Sequence, residues 1–273
     1  MVRNPTGKAV LQASLKLFRQ DPQMIWLPVM AAVSALLTLV AIGGPLLLVL
    51  GTSRLAVVVA FGIASIGATS ATILFNVALV FAATDRIEGR TPTVGGSLAQ
   101  AWARRSTILK WAVLSAFVGT IVRALERRLG IFGRLLGFVG VFAWLIATFL
   151  VLPVLAFEDL GPIDALRRSS TILKERFGTV ARSGLRFGGL YLAWSLAAAA
   201  VLVVGLTLIP ASMLVGVPIA VVGMFCVLAV SMFASAAGIY MRTILYRFAT
   251  GQSVPELGVN LSQTFSMVPA HDS

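Results

Sequence analysis

One histidine, one cysteine and ten acidic residues occur in this 273-residue chain, and each shortage closes a line of chemistry. With His271 alone, three residues from the C-terminus, no histidine-based metal centre and no Ser-His or Cys-His nucleophile pair can be assembled. A single cysteine, Cys226, excludes an internal disulfide, and its place midway through an apolar run suits a small packing residue. No P-loop sequence occurs, and Gly133, Gly137 and Gly140 lie in an apolar run without the strand-turn-helix setting of a nucleotide site. The carboxylates at Asp85, Glu88, Glu126, Glu158, Asp159, Asp164 and Glu175 stand at the ends of apolar runs or in loops. Helix termination and N-capping near "DLGPIDAL" explain the Glu158–Asp159 pair more simply than acid–base work. The expectation is a protein without catalytic groups, metal or cofactor.

Charge of either sign is scarce as well. Charged residues make up 12% and hydrophobic residues 58%, with a mean hydropathy of +0.95. Ordinary globular domains carry about 25% charged residues, so the composition is that of an integral membrane protein. A spanning helix needs roughly 20 mostly apolar residues. Residues 27–50, 55–83, 135–157, 188–209 and 214–245 meet that length, and "TILKWAVLSAFVGTIVRA" from Thr107 is a shorter sixth, with Lys110 and Arg123 able to snorkel at its ends. The apolar stretch of the first span is too long for a cleaved signal, so that span is expected in the mature protein.

What charge there is leans positive, at +12. It lies in short blocks between apolar runs, the pattern of juxtamembrane residues facing anionic headgroups rather than of a nucleic-acid binder. With both termini cytoplasmic, seventeen Lys and Arg fall inside and five outside, the direction the positive-inside tendency requires. The excess of arginine over lysine, with abundant Ala, Val and Gly, suits a GC-rich bacterial genome and an inner-membrane location. "RALERRLGIFGR", residues 123–134, is the exception, falling on the outer side in a six-span arrangement. Its Leu125, Leu129, Phe132 and Leu136 share a helical face, with Arg123, Arg127 and Arg134 towards the other and Glu126 three residues after Arg123. Two readings fit: a helix bending along the membrane surface with arginines at phosphates, and a solvated turn between spans. If 107–134 did not cross, five spans would remain.

Internal similarity organises the spans. "SLAQAWARRSTILKW" (97–111) and "PIDALRRSSTILKERFG" (162–178) share a basic pair and Ser-Thr-Ile-Leu-Lys 64 positions apart, and "GKAVLQASLKLFRQDPQMIW" (7–26) has the same basic amphipathic character. Spans two, four and six end in polar exits rich in glycine and proline, "DRIEGRTP", "FEDLGP" and "YRFATGQSVP". The expected fold is an all-α integral membrane protein of six transmembrane helices in three hairpins. Each hairpin would be preceded by a cytoplasmic-side amphipathic interfacial helix, a pseudo-threefold repeat. The units run approximately 7–85, 93–157 and 162–250 within a single membrane domain 1–273, with a flexible tail at 251–273.

Within the spans, Ala64 with Ala68, Gly67 with Ala71 and Gly133 with Gly137 have the small-xxx-small spacing that lets backbones approach. Pro153 and Pro218 are expected to kink their helices. The mid-span polar residues are Asn76, Ser115, Thr120, Thr148 and Ser195, none charged. Asn76 stands out because its amide needs a partner in hydrocarbon, most simply an interhelical hydrogen bond.

The stretch from "FNVALVFAATDRIEGRTP" through "RALERR", with "ATFLVLPVLAFEDLGPIDALRRSSTILKERFG", resembles a family of uncharacterised bacterial multi-pass membrane proteins. The likeness is strongest over 75–190, and its most specific pieces are Arg-x-x-Glu-Arg at 123–127 and "VLPVLAFEDLGPIDALRRS". The three-hairpin layout is more distantly similar to the membrane domain of some glycerophosphodiester phosphodiesterases, whose barrel this chain has no room for. The resemblance implies a six-helix inner-membrane protein and brings no function with it.

The function expected is that of a non-enzymatic protein binding lipid or partner proteins, as an accessory or scaffold in envelope lipid handling or transport. Its contacts with anionic lipid headgroups or a partner would be Arg104, Arg105, Lys110, Arg167, Arg168, Lys174, Arg123 and Arg127. Asn76, Arg123 and Glu126 would be the intramembrane polar or ion-pair set. A small transporter or channel, with a polar path lined by Asn76, serines and threonines, is the alternative. No nucleic-acid partner is expected, and a protein partner or homo-oligomer is left open.

Overall fold

The computed structural model describes residues 7–51, 53–175, 177–252 and 254, without the side chains of 7–11, 123–138, 142, 175 and 177–187. These residues form α1 (Gly7–Gln20), a 3-10 turn (Pro22–Ile25), α2 (Trp26–Leu50), α3 (Arg54–Ile87) and α4 (Val94–Ala103). There follow α5 (Arg105–Ala147), α6 (Val151–Phe157), α7 (Pro162–Glu175), α8 (Phe177–Leu208) and α9 (Met213–Ala249). Among them are six segments long and apolar enough to cross a membrane: Pro22–Leu50, Arg54–Ile87, Arg105–Val122, Val139–Phe157, Gly188–Leu208 and Met213–Ala249. This is the make-up of a multi-pass membrane protein.

Burial divides the molecule along the helix axes. Large apolar side chains such as Leu36, Val40, Leu48, Phe61, Trp194, Leu206 and Phe225 are exposed, as lipid-facing residues must be. Cys226 belongs with them: it is exposed on α9 rather than packed within the chain. The buried core instead gathers at the other end of the long helices, from Ile73 to Ile87 on α3 and from Ala236 to Phe248 on α9. A helix rises 1.5 Å per residue, so α3 and α9 are about 51 and 56 Å long, well beyond the roughly 30 Å of hydrocarbon. Their surplus length is wrapped by α1, α4 and α6, and α7 packs on α5 and α6, so that the four short helices form a packed collar.

The amphipathic helices therefore do more than rest on a surface. α1 buries Ser14, Leu17 and Phe18, and the Phe18 ring meets Phe233 and Tyr240 of α9 edge-on at 5.4 and 5.5 Å. α7 buries Ser169, Ile172 and Leu173 at the same spacing. Residues 64 positions apart behave alike: Ala101 and Ala165 are fully buried, and Ile108 and Ile172 are each 2% exposed.

Glycine sets how closely the spans approach. A Cβ on Gly205 would collide with the backbone of Ala220, and one on Gly223 with the backbone of Leu202, so α8 and α9 touch backbone to backbone. On α3, Ala60 and Ala64 are buried, and a Cβ on Gly67 would come within 2.9 Å of Thr38 and Ile42 on α2. The pair Gly133–Gly137 lies outside the described side chains.

α5 is a continuous helical run, yet Trp111 and Trp144 stack at 5.6 Å between ring centroids. Along a straight helix, 33 positions would separate them by about 50 Å, so the chain doubles back between them. The arginine-rich segment 123–134 lies in that stretch, and Arg123, Glu126 and Arg127 fall outside the described side chains. Pro153 breaks rather than kinks its span: α5 stops at Ala147 and α6 starts at Val151, because the proline offers no N–H to the carbonyl of Phe149. The Leu150 amide in the gap is satisfied by Ser169 Oγ of α7 at 3.2 Å.

The exits from α3 and α9 are built alike. Gly89 and Gly251 have φ of 78° and 76°, a region glycine enters without steric cost. In each, the next amide reaches back to close the helix, Arg90 N–H to Asp85 O and Gln252 N–H to Arg247 O, both 2.8 Å. This double closure is the Schellman motif. The α6 exit differs, with Glu158 extended.

Candidate functional site

Ion pairs lace the collar together. Asp21, 3% exposed, pairs with Arg86 and ties the turn after α1 to the end of α3. Arg247, 9% exposed, reaches Glu88 at 2.7 Å and joins the two glycine-closed exits. Burial works against the charged form of Glu88, but hydrogen bonds from Arg247 and Arg90, with their charges, hold its carboxyl below the usual carboxylate range. Glu158 accepts from Tyr246 Oη at 2.8 Å and from Arg168 Nε at 3.1 and 3.2 Å, joining α6, α7 and α9.

The expected headgroup cations therefore divide into two sets. Arg104 pairs with Asp159 at 3.3 Å, Arg168 with Glu158 and Arg167 with Asp164 at 3.7 Å. Arg105, Lys110 and Lys174 are exposed, and among the described residues none of the three meets a carboxylate. Arg105 lies over the exposed Trp102 ring at 5.9 Å and donates to its carbonyl oxygen at 3.3 Å. Leu109 beside them is also exposed.

Below this rim lies a cavity of about 400 Å³ between α3, the α5–α6 break, α8 and α9. Asn76, Phe149 and Arg242 form its half-buried inner wall, and the exposed Tyr191, Ser231 and Ser235 its mouth. Asn76 lies 22 residues beyond the start of α3, about 33 Å along the axis. Its amide has no hydrogen-bond partner among the described residues. In the sequence Arg242 is one of the seventeen inner-side cations, near the end of the last apolar run, and nothing local singles it out. The break before Pro153 presents Phe149 to it, and the guanidinium lies 5.1 Å from the ring centroid. Among the described residues its Nε is buried without a hydrogen-bond partner and no carboxylate lines the cavity.

The other mid-span polar residues are not gathered here. Thr120 and Thr148 donate to the carbonyls of Ala116 and Trp144 in their own helix, at 2.8 and 2.7 Å. Ser195 Oγ is buried without a partner, away from the cavity lining.

A second cavity of about 400 Å³ adjoins the first and shares Tyr191 and Ala234 with it. Its walls are apolar, from Leu190, Trp194, Val230 and Phe233, with Arg19 of α1 at its edge.

A family of unknown function, DUF6159, matches residues 54–254, from the start of α3 to beyond the end of α9. The chain belongs to this family. The match carries Asn76, Arg242 and both glycine-closed exits, while Asp21 and Arg19 lie before it. No curated protein and no solved structure matches the chain.

Proposed function

We propose that this family member is a non-enzymatic bacterial inner-membrane protein whose collar binds anionic lipid headgroups, as an accessory to envelope lipid handling or transport. One observation carries the reading: among the described residues the exposed Arg105, Lys110 and Lys174 meet no carboxylate, and Trp102 and Leu109, on the same stretch of chain as Arg105 and Lys110, are exposed as well. Cations next to exposed aromatic and aliphatic side chains suit the headgroup boundary, where phosphate and acyl chain lie close together. In this reading the collar is cytoplasmic, as the seventeen-to-five division of positive residues favours. The three-hairpin, pseudo-threefold layout belongs to the same proposal, supported by the matched burial of Ala101 with Ala165 and Ile108 with Ile172 and by the twin exits of α3 and α9.

The test is lipid retention. Full-length protein and an Arg105→Gln/Lys110→Gln/Lys174→Gln variant are purified in mild detergent, and co-purified lipid is counted by mass spectrometry. The variant is expected to hold several-fold less phosphatidylglycerol with zwitterionic lipid unchanged; equal retention contradicts the reading.

A transporter or channel is the second reading, favoured by the unpartnered Asn76 amide in a cavity. Against a continuous path, Thr120 and Thr148 satisfy themselves within α5. Flux through reconstituted protein that vanishes in Asn76→Ala would promote it.

A further inference from the structure

We propose that the cavity beside Arg242 holds the phosphate of an anionic phospholipid, with an acyl chain lying in the adjoining α8–α9 groove. Arg242 is half-buried, with its Nε buried and unpartnered, and a guanidinium withdrawn from water in this way is costly unless an anion completes it. Arg242 has the Phe149 ring on one side and, among the described residues, no acidic neighbour in the cavity, so its charge is left for a ligand. Asn76, Ser231 and Ser235 add uncharged donors around the same space, a set that suits phosphate oxygens.

The second cavity identifies the ligand as an amphiphile. It continues from the first through Tyr191 and Ala234, and its α9 residues, 229–234, lie 8–13 positions from Arg242 towards the far end of the span. That distance is about 12–20 Å along the axis, the direction an acyl chain takes from a headgroup into hydrocarbon. Leu190, Trp194, Val230 and Phe233 offer the chain apolar walls. This site depends on Arg242 and not on the rim cations of the proposed function.

Thermal unfolding of the delipidated full-length protein in neutral detergent tests it. Three additions are compared: dioleoyl phosphatidylglycerol, dioleoyl phosphatidylcholine and inorganic phosphate. Phosphatidylglycerol is expected to raise the midpoint by several degrees, because a ligand bound to the folded state alone stabilises it. Arg242→Gln should lose most of that shift, measured from its own lipid-free midpoint, and Arg242→Lys should keep part of it. The rim variant Arg105→Gln/Lys110→Gln/Lys174→Gln should keep the shift, which separates this site from the surface reading. Equal shifts with phosphatidylcholine, a full shift from inorganic phosphate alone, or an undiminished shift in Arg242→Gln would each overturn the proposal. If Arg242→Gln does not fold, a phosphatidylglycerol with a diazirine in its acyl chain is photolysed on the wild type. Label in residues 190–194 or 229–234 is expected; label confined to other helices overturns it.

Discussion

Asp21 illustrates how much a single residue holds at the collar. It is buried, has Arg86 for a partner, and fastens α1 to α3. Removing one member of a buried pair leaves the other charge uncompensated, at a cost of about 3–5 kcal/mol. Because Arg86 keeps some exposure, Asp21→Asn is expected near the lower end, about 3 kcal/mol. Chemical denaturation in detergent measures this, and Asp21→Asn/Arg86→Met should recover part of the loss. Glu88 sets a pH dependence. Its carboxyl is held below the ordinary value, so its stabilisation is complete above the unfolded glutamate pKa of about 4.3 and is lost as pH falls through the folded value. The unfolding midpoint should be level near neutrality and drop in that acid range, and Glu88→Gln should flatten the drop. At this scale the sequence was only partly legible. Asn76 stood out as an amide in an apolar run, whereas Arg242 looked like one more terminal cation. Its contact with Phe149 spans 93 positions of sequence, and no local pattern encodes it.

Helices and their joints were easier to foresee. Apolar length located all six spans, since hydrocarbon imposes the same demand on each segment. Glycine and proline likewise marked the exits, two of which became Schellman closures. Which glycines bring spans together was not foreseen. Ala64 and Gly67 do face α2, but Gly205 and Gly223, which let α8 and α9 touch, have no small residue four positions away in their own helix. Gly205→Val or Gly223→Val should therefore be severely destabilising, by several kcal/mol, because backbone rather than a movable side chain stands in the way. Gly62→Val on α3, where nothing lies within 4 Å, is the control and should be nearly neutral. Thermal unfolding of the three variants measures the contrast.

As a whole, the molecule combines a lipid-exposed bundle with a collar that has a core of its own. The sequence showed the bundle and the three amphipathic helices, yet amphipathicity only states that one face seeks an apolar partner. Membrane and protein satisfy that equally, and the surplus length of α3 and α9 decides for protein by offering buried surface beyond the hydrocarbon. The collar requires that α4, α7 and the ends of α3 and α9 share one side of the membrane. Side-specific thiol labelling in intact and inverted vesicles tests this most directly, with single cysteines at 54, 105 and 167 in a Cys226→Ala background. Positions 105 and 167 should label together from one side and position 54 from the other; labelling of 105 and 167 from opposite sides would contradict the account.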